Sequence, residues 1–328
     1  MNLKYLVVGS GAMGGISAAF LAKAGKDVTM IARGENYDVI KNEGLHITTP
    51  TEEYQIDVKV STWEEYNETP DVVMICVKVY SLDNIIPELD KICNENTIIF
   101  TVSNSLDLGS IIEEKMTTKC SIVGGVAYIA VVRDKPGYIR QKLGFYNIVL
   151  GMRNNEPVRE ELYQIQMDFN ETGAKVLIRN NPVKSALRKF FRVSTISSVC
   201  CYFNTTVGNV RENPEGLRLF KDLTQELFQI AEGMGDPFGK EDEEPFPGKP
   251  VDQEALDAFM SVYPEYQTSM KFDWDNDHQT EIREQILDVI DLGEKYGVPM
   301  TAYRKVAKKL IELKPNQVTE EEREKYGK

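Results

Sequence analysis

The chain has 328 residues, more than one hydrophobic core usually organises, and its 42% apolar content suffices for two packed units. Its formal net charge of −13 argues against nucleic acid or an anionic membrane as partner, so an anionic ligand has to be met by locally placed cations. No apolar run is long enough to span a bilayer, and the odd count of five cysteines, without metal-ligand spacing, reads as free thiols of a reducing, cytoplasmic compartment.

The N-terminus leads directly into a strand, with no signal-peptide pattern. Residues 4–33 pass from that apolar strand through Gly9, Gly11 and Gly14 into a helix that Gly25 ends, and DVTMIA then supplies a second strand. This is the pattern of a dinucleotide-binding βαβ unit. Gly9 permits the tight turn, Gly11 lets backbone N–H groups approach a pyrophosphate, and Gly14 lets the helix pack closely on the strand. Ala12 and Met13 belong to the same loop, where the helix N-terminus turns its positive dipole end to the phosphates. At the tip of the second strand an NAD-preferring site usually places an acid, whereas this chain places Arg33, followed by Gly34. A cation there suits a 2′-phosphate and favours NADP(H). The alternative is that Arg33 is a solvated strand-end charge and Glu35 serves the ribose.

Beyond this unit, LHITT with His46 reads as a short strand, and DVVMICVKV (71–79) and TIIFTVSN (97–104) as strands buried in a parallel sheet. Lys78 and Asn104 follow the carboxyl ends of these two strands, where open α/β sheets bind ligands; taken singly, each is an ordinary turn residue. CSIVGGVAYIA and FYNIVLGM follow as later strands, 156–173 as a helix, and KVLI (175–178) as the last strand. From about 180 the pattern becomes helical. This predicts an α/β fold: a Rossmann-type N-terminal domain over 1–180, then an all-helical C-terminal domain over 181–328.

The second domain opens with VKSALRKFFRVSTISSVCCYFNTTVG, apolar nearly all round and expected to form one long central helix. Spacings of four and eight put Lys189, Val193 and Ser197 on one slowly drifting face of it, where a substrate can touch all three and Ser197 is a candidate substrate-binding residue. Leu219, Leu223, Leu227 and Ile230 share a later helix face, as do Ile282, Ile286, Val289 and Ile290. Residues 233–250, rich in Gly, Pro and acids, read as an exposed connection, with an active-site lid as the alternative. The charged end, TEEEREKYGK, with the tail from about 314, is expected to fray. No internal repeat is present. The two histidines, His46 and His278, sit in a short strand and in the polar run WDNDHQT. A reductase built on this chain would therefore take its proton from a lysine.

These residues resemble the ketopantoate reductase family, the NADPH-dependent 2-dehydropantoate 2-reductases, from the first glycine to about residue 312. In that family a Gly-rich loop, an Arg, a Lys and an Asn build the cofactor crevice, and Gly9, Gly11, Gly14, Arg33, Lys78 and Asn104 match them. Lys189 matches the family's catalytic lysine and Gly208 a glycine near the end of the lysine's helix. SMKFDWDNDHQTEI resembles a signature in which Ser269 matches a substrate-binding Ser and Glu281 a carboxylate. The resemblance implies hydride delivery to the carbon of a 2-oxo acid, with Lys189 as proton donor, Glu281 holding its ammonium, Ser269 on the substrate carboxylate and Asn104 orienting the substrate.

The chain also departs from the family pattern. Val193 and Ser197 replace two Asn residues, Leu187 a Trp, Ser105 a Gly and Leu287 another Gly. Val193 cannot hold a substrate hydroxyl and Ser197 reaches less far. A buried hydroxyl without a partner costs about 1–3 kcal/mol, so a 2-oxo acid with an apolar tail is the alternative substrate. A third reading is a non-catalytic NADP(H)-binding sensor. No metal is implied, and the apolar helical domain buries its surface either within the chain or in a homodimer.

Overall fold

The computed structural model describes residues 2–154, 156–180, 182–235 and 264–327. Within it the chain divides into two compact units, Met1–Ser103 with Asp107–Val183, and Asn104–Leu106 with Lys184–Lys328. The first is a mixed α/β, Rossmann-like unit and the second is largely helical.

The first unit is organised by an apolar strand, β1 (Lys4–Val8), whose residues alternate between two cores. Tyr5 and Val7 enter one core and Leu6 and Val8 the other, as the period-2 direction of strand side chains requires. Helix α1 (Ala12–Lys23) carries the chain to β2 (Asp27–Ile31), parallel to β1, and α2 (Gly34–Glu43) follows. Strands β3 (Leu45–Thr48), β4 (Glu53–Ile56) and β5 (Lys59–Ser61) come next, then β6 (Val72–Ile75) on the other side of β1, helix α3 (Leu82–Ile92), β7 (Ile98–Thr101) and α4 (Leu108–Lys115). Strands β8 (Ser121–Tyr128), β9 (Val131–Lys135), β10 (Tyr138–Gln141) and β11 (Asn147–Met152), helix α5 (Glu160–Asn170) and β12 (Lys175–Ile178) complete the unit.

The main sheet has the order β12-β11-β8-β7-β6-β1-β2-β5. Its strands β5, β2, β1, β6, β7 and β8 are mutually parallel, and only β8 and β11 pair antiparallel. Because β2 and β6 flank β1, the chain reverses its direction of winding there, which is the switch point at which such sheets bind ligands. A second sheet, β4-β3-β10-β9, lies against α1, and a side chain on Gly15 would strike Ile139 of β10. This second sheet was not expected as such: its strands are short and its exposed edges, such as β4, give no apolar run to read.

The helical unit begins with α6 (Pro182–Phe203) and α7 (Val207–Glu212), followed by α8 (Pro214–Gly233), which buries Leu219, Leu223, Leu227 and Ile230. After residues outside the described set come α9 (Ser269–Asp275), a π-helical turn (Arg283–Leu287), α10 (Asp288–Lys295), α11 (Thr301–Leu313) and α12 (Glu320–Tyr326). No described helix is long and apolar enough to cross a membrane. Most of the 233–250 connection, from 236 on, lies outside the described residues.

Three expectations are corrected. The long helix ends at Phe203 rather than at Gly208, because Asn204 takes a left-handed conformation (φ 51°) and Thr206 starts α7. Gly208 therefore lies on α7, where its N–H donates to the Pro264 carbonyl at 2.9 Å and a Cβ would collide with that proline. The face carrying Ile282 and Ile286 is buried as expected, but through a π-helical turn rather than a regular helix. Over its described residues up to Tyr326, the C-terminal segment is anchored rather than frayed. Thr319 and Glu322 form a reciprocal capping box, Lys325 pairs with Asp291 at 2.7 Å, and Tyr326 is buried with its hydroxyl on the same carboxylate.

Candidate active site

In the first unit, the loop after β1 is held by two glycines that nothing larger can replace. Gly9 has φ 109°, and a side chain on Gly14 would lie 1.8 Å from the Gly9 carbonyl oxygen, so the helix presses directly on the turn. Above Gly11, by contrast, an added Cβ would meet nothing within 4 Å. Gly11 caps α1 without a side-chain partner, and the first turn, which includes Ala12 and Met13, holds no acid. A helix N-terminus with free space, uncapped amides and no opposing carboxylate suits a diphosphate.

The strands flanking β1 bring cations and polar groups to the same edge of the sheet. Arg33 follows β2 in extended conformation as the N-cap of α2; it is exposed and makes no ion pair among the described residues. Lys78 follows β6 at the start of a short 3₁₀ turn and is half-buried. Ser103, after β7, donates its hydroxyl to the Val77 carbonyl at 2.8 Å, which ties the turns after β6 and β7 together. Arg33, Lys78 and the glycine loop thus all follow carboxyl ends of adjacent parallel strands.

In the second unit, Lys189, Asn104 and Glu281 come together. Lys189 lies in the second turn of α6, between Arg188 and Phe190, and its Nζ donates to Asn104 Oδ1 at 2.8 Å. The residue is half-buried, yet the surrounding protein strips its ammonium of water. Burial lowers its pKa to about 8, and the Glu281 carboxylate opposes that fall without cancelling it. Glu281 is itself buried. The segment leading to it is clamped by Gln317, whose Oε1 accepts from Thr280 N at 2.8 Å and Thr280 Oγ1 at 2.9 Å, and whose Nε2 donates to the His278 carbonyl.

Ser197, two turns beyond Lys189, is fully buried, and its hydroxyl donates to Thr268 Oγ1 at 2.9 Å. Thr268 caps α9, accepting from Lys271 N, and Ser269 is the exposed first residue of that helix. Val193 stands between Lys189 and Ser197 in sequence and is half-buried. Thr268 and Gln317 were missed in the sequence. The first carried a signal, a Thr opening a helix as an N-cap, whereas a glutamine in a charged C-terminal run carried none. His46 stacks on Tyr138 in the second sheet with ring centroids 4.1 Å apart, and His278 is exposed. Among the described residues no group of three or more His, Cys, Asp or Glu could hold a metal ion.

Comparison with known proteins gives a consistent result. The family model described as ketopantoate reductase PanE/ApbA matches residues 5–155, and that of the C-terminal domain of the same family matches residues 182–314. A 2-dehydropantoate 2-reductase of Aquifex aeolicus is 28% identical over 304 residues, covering 91% of this chain and 93% of that protein. The uncharacterized oxidoreductase YkpB of Bacillus subtilis is 23% identical, over 85% of this chain and 88% of its own. Among solved structures, a PanE/ApbA family ketopantoate reductase from Ralstonia eutropha superposes with TM-score 0.83 at 18% identity, covering 96% of this chain and 99% of the other. A D-mandelate dehydrogenase with NADH and anilino(oxo)acetate superposes with TM-score 0.81 at 17% identity over the same shares. These structural likenesses show a shared fold.

Proposed function

The chain belongs to the ketopantoate reductase PanE/ApbA family of oxidoreductases, and from that premise we propose that it reduces 2-dehydropantoate to pantoate with NADPH. The observation that carries the reading is the desolvated Lys189 ammonium, held by Asn104 and faced electrostatically by a buried carboxylate. A reduced nicotinamide supplies, when bound, the hydride that the 2-oxo carbon accepts.

The protein's own residues supply the rest. The amides of α1 behind Gly11 hold the diphosphate, Arg33 meets the 2′-phosphate, and Lys78 adds positive charge at the adjacent strand end. Lys189 stabilises the negative charge growing on the ketone oxygen and gives that oxygen its proton, leaving a neutral amine that solvent reprotonates. Its pKa of about 8 keeps the ammonium largely protonated at neutral pH, yet makes it a far better acid than an exposed lysine. Glu281 holds the ammonium in place, Asn104 orients it toward the substrate, and Ser269, exposed at the head of α9, hydrogen-bonds the substrate carboxylate. The free cysteines suit a reducing compartment such as the cytoplasm.

One observation favours a second substrate on the same scaffold. The Ser197 hydroxyl is buried and donates to Thr268, and Val193 sets an apolar side chain one turn from Lys189, so neither residue gives a substrate tail a hydrogen-bond donor. A 2-oxo acid with an apolar tail fits that face, and anilino(oxo)acetate, the ligand of the D-mandelate dehydrogenase above, is a compound of that kind.

The test is NADPH oxidation with 2-dehydropantoate beside 2-oxo acids of graded tail polarity. Fastest turnover of 2-dehydropantoate supports the first reading and preference for an apolar tail the second. Lys189→Ala is expected to lower kcat at least 100-fold while leaving NADPH affinity unchanged, since general acid catalysis contributes about 10²–10⁴. Unchanged turnover in that variant would exclude Lys189 as the proton donor.

A further inference from the structure

Beside Glu281 stands a side chain that the proton-transfer reading leaves unused. Gln285 is fully buried, and its Nε2 donates to the Glu281 carboxylate at 3.3 Å. Only the NH₂ end of an amide can face a carboxylate, because its carbonyl end would set two acceptors against each other. The backbone repeats the link, with Gln285 N donating to the Glu281 carbonyl at 2.9 Å.

Gln285 is in turn fastened to the helix that carries Lys189. Its carbonyl accepts from Ser194 Oγ of α6 at 2.6 Å, and that hydroxyl shares a 2.7 Å hydrogen bond with Tyr303 OH of α11. Ser194 and Tyr303 are as fully buried as Gln285, so water does not compete for these bonds. The path from Lys189 through Glu281 and Gln285 to Ser194 therefore begins and ends on α6. It crosses the π-helical turn Arg283–Leu287, an irregularity often found at functional sites.

We infer that Gln285 is a positioning residue, which registers the Glu281 carboxylate against α6 and so sets the field under which Lys189 gives up its proton. This rests on Lys189 being the proton donor. Other charges belong to the same surroundings. Glu284, on the same turn, is a second buried carboxylate; burial, with Glu281 and Asp288 adding to it and Arg283 opposing, pushes it up to about 7. Arg188 and Arg192 flank Lys189 along α6, and Tyr303 is the titratable group contributed by α11.

The Glu281 charge raises the Lys189 pKa against the effect of burial, and that effect weakens with distance from the ammonium. Removing the donor releases the carboxylate from α6, and a carboxylate that moves away from the ammonium lets Lys189 fall further. Gln285→Met keeps the length and bulk of the side chain and deletes the donor. The readout is the extent of Lys189 acetylation by a limiting reagent as a function of pH, quantified by mass spectrometry, which needs no substrate. The wild-type midpoint is expected near 8, and the variant's lower by about half a unit or more.

An unchanged midpoint in a variant with native circular dichroism overturns the inference. Should Gln285→Met fail to fold, Ser194→Ala, which releases the Gln285 carbonyl from α6, is read the same way: a smaller downward shift supports the role and an unmoved midpoint overturns it. Lys189→Ala separates the two claims. If it retains full turnover, the proton-donor reading fails and the positioning role with it. If it loses turnover while Gln285→Met leaves the midpoint in place, only the positioning role fails.

Discussion

A lysine brought down to about 8 by burial is a different reagent from one in water, and its pH dependence has a definite sign. On the proposed mechanism ketone reduction needs the ammonium, so the reductive rate is expected to be flat below the pKa and to fall as pH rises through about 8. Oxidation of the 2-hydroxy acid needs the neutral amine as base and should rise over the same interval. Burial depresses the pKa and Glu281 partly restores it, so Glu281→Gln is expected to move the alkaline limb of the reductive profile to lower pH. A pH series of kcat for wild type and variant checks this, and an upward shift would contradict the electrostatic assignment. Asn104 accepts from the same ammonium, so it restrains the geometry without adding charge.

At the scale of elements, hydrogen bonding at the ends of segments decides what the apolar pattern leaves open. The last helix, α12, reads as charged and unanchored in sequence, yet its Thr319 and Glu322 cap it reciprocally and Asp291 receives both Lys325 and the Tyr326 hydroxyl. Replacing a capping Thr by Ala costs about 1 kcal/mol. Thr319→Ala is accordingly expected to speed amide hydrogen exchange over 320–327 while leaving that of α6 unchanged, as peptide-resolved exchange would show. Helix α1 is the converse case. Its position follows from Gly14 pressing on Gly9, a contact already written in the spacing of the glycines.

For the molecule as a whole, the relevant quantity is how a ligand of the folded state alters stability. On the proposed binding mode, a dinucleotide held by the glycine loop and Arg33 stabilises the fold by mass action, about 2.7 kcal/mol at a hundredfold excess over Kd. NADPH is expected to raise the melting temperature more than NADH at equal concentration. Arg33→Asp should abolish or reverse that order, because a carboxylate repels the 2′-phosphate and accepts from a ribose hydroxyl. Differential scanning fluorimetry measures both, and equal NADPH shifts before and after the substitution would remove Arg33 from the cofactor site.

The sequence by itself determined the class of fold, the positions of the buried parallel strands along the chain and the position of the glycine loop. Those depend on local apolar periodicity and on backbone conformations that only glycine adopts, and both are written residue by residue. It also marked Lys189, Asn104 and Glu281 through their resemblance to a family, but it held no measure of burial. Only the tertiary structure decided that Lys189 is desolvated, that Ser197 is paired with Thr268, and that Gln285 and Gln317 are buried against the Glu281 segment. A polar side chain looks alike in sequence whether it is solvated or sealed inside. Its energy is set by partners 37 to 91 positions away, as in Thr280 with Gln317 and Ser194 with Gln285, and folding alone brings those partners together.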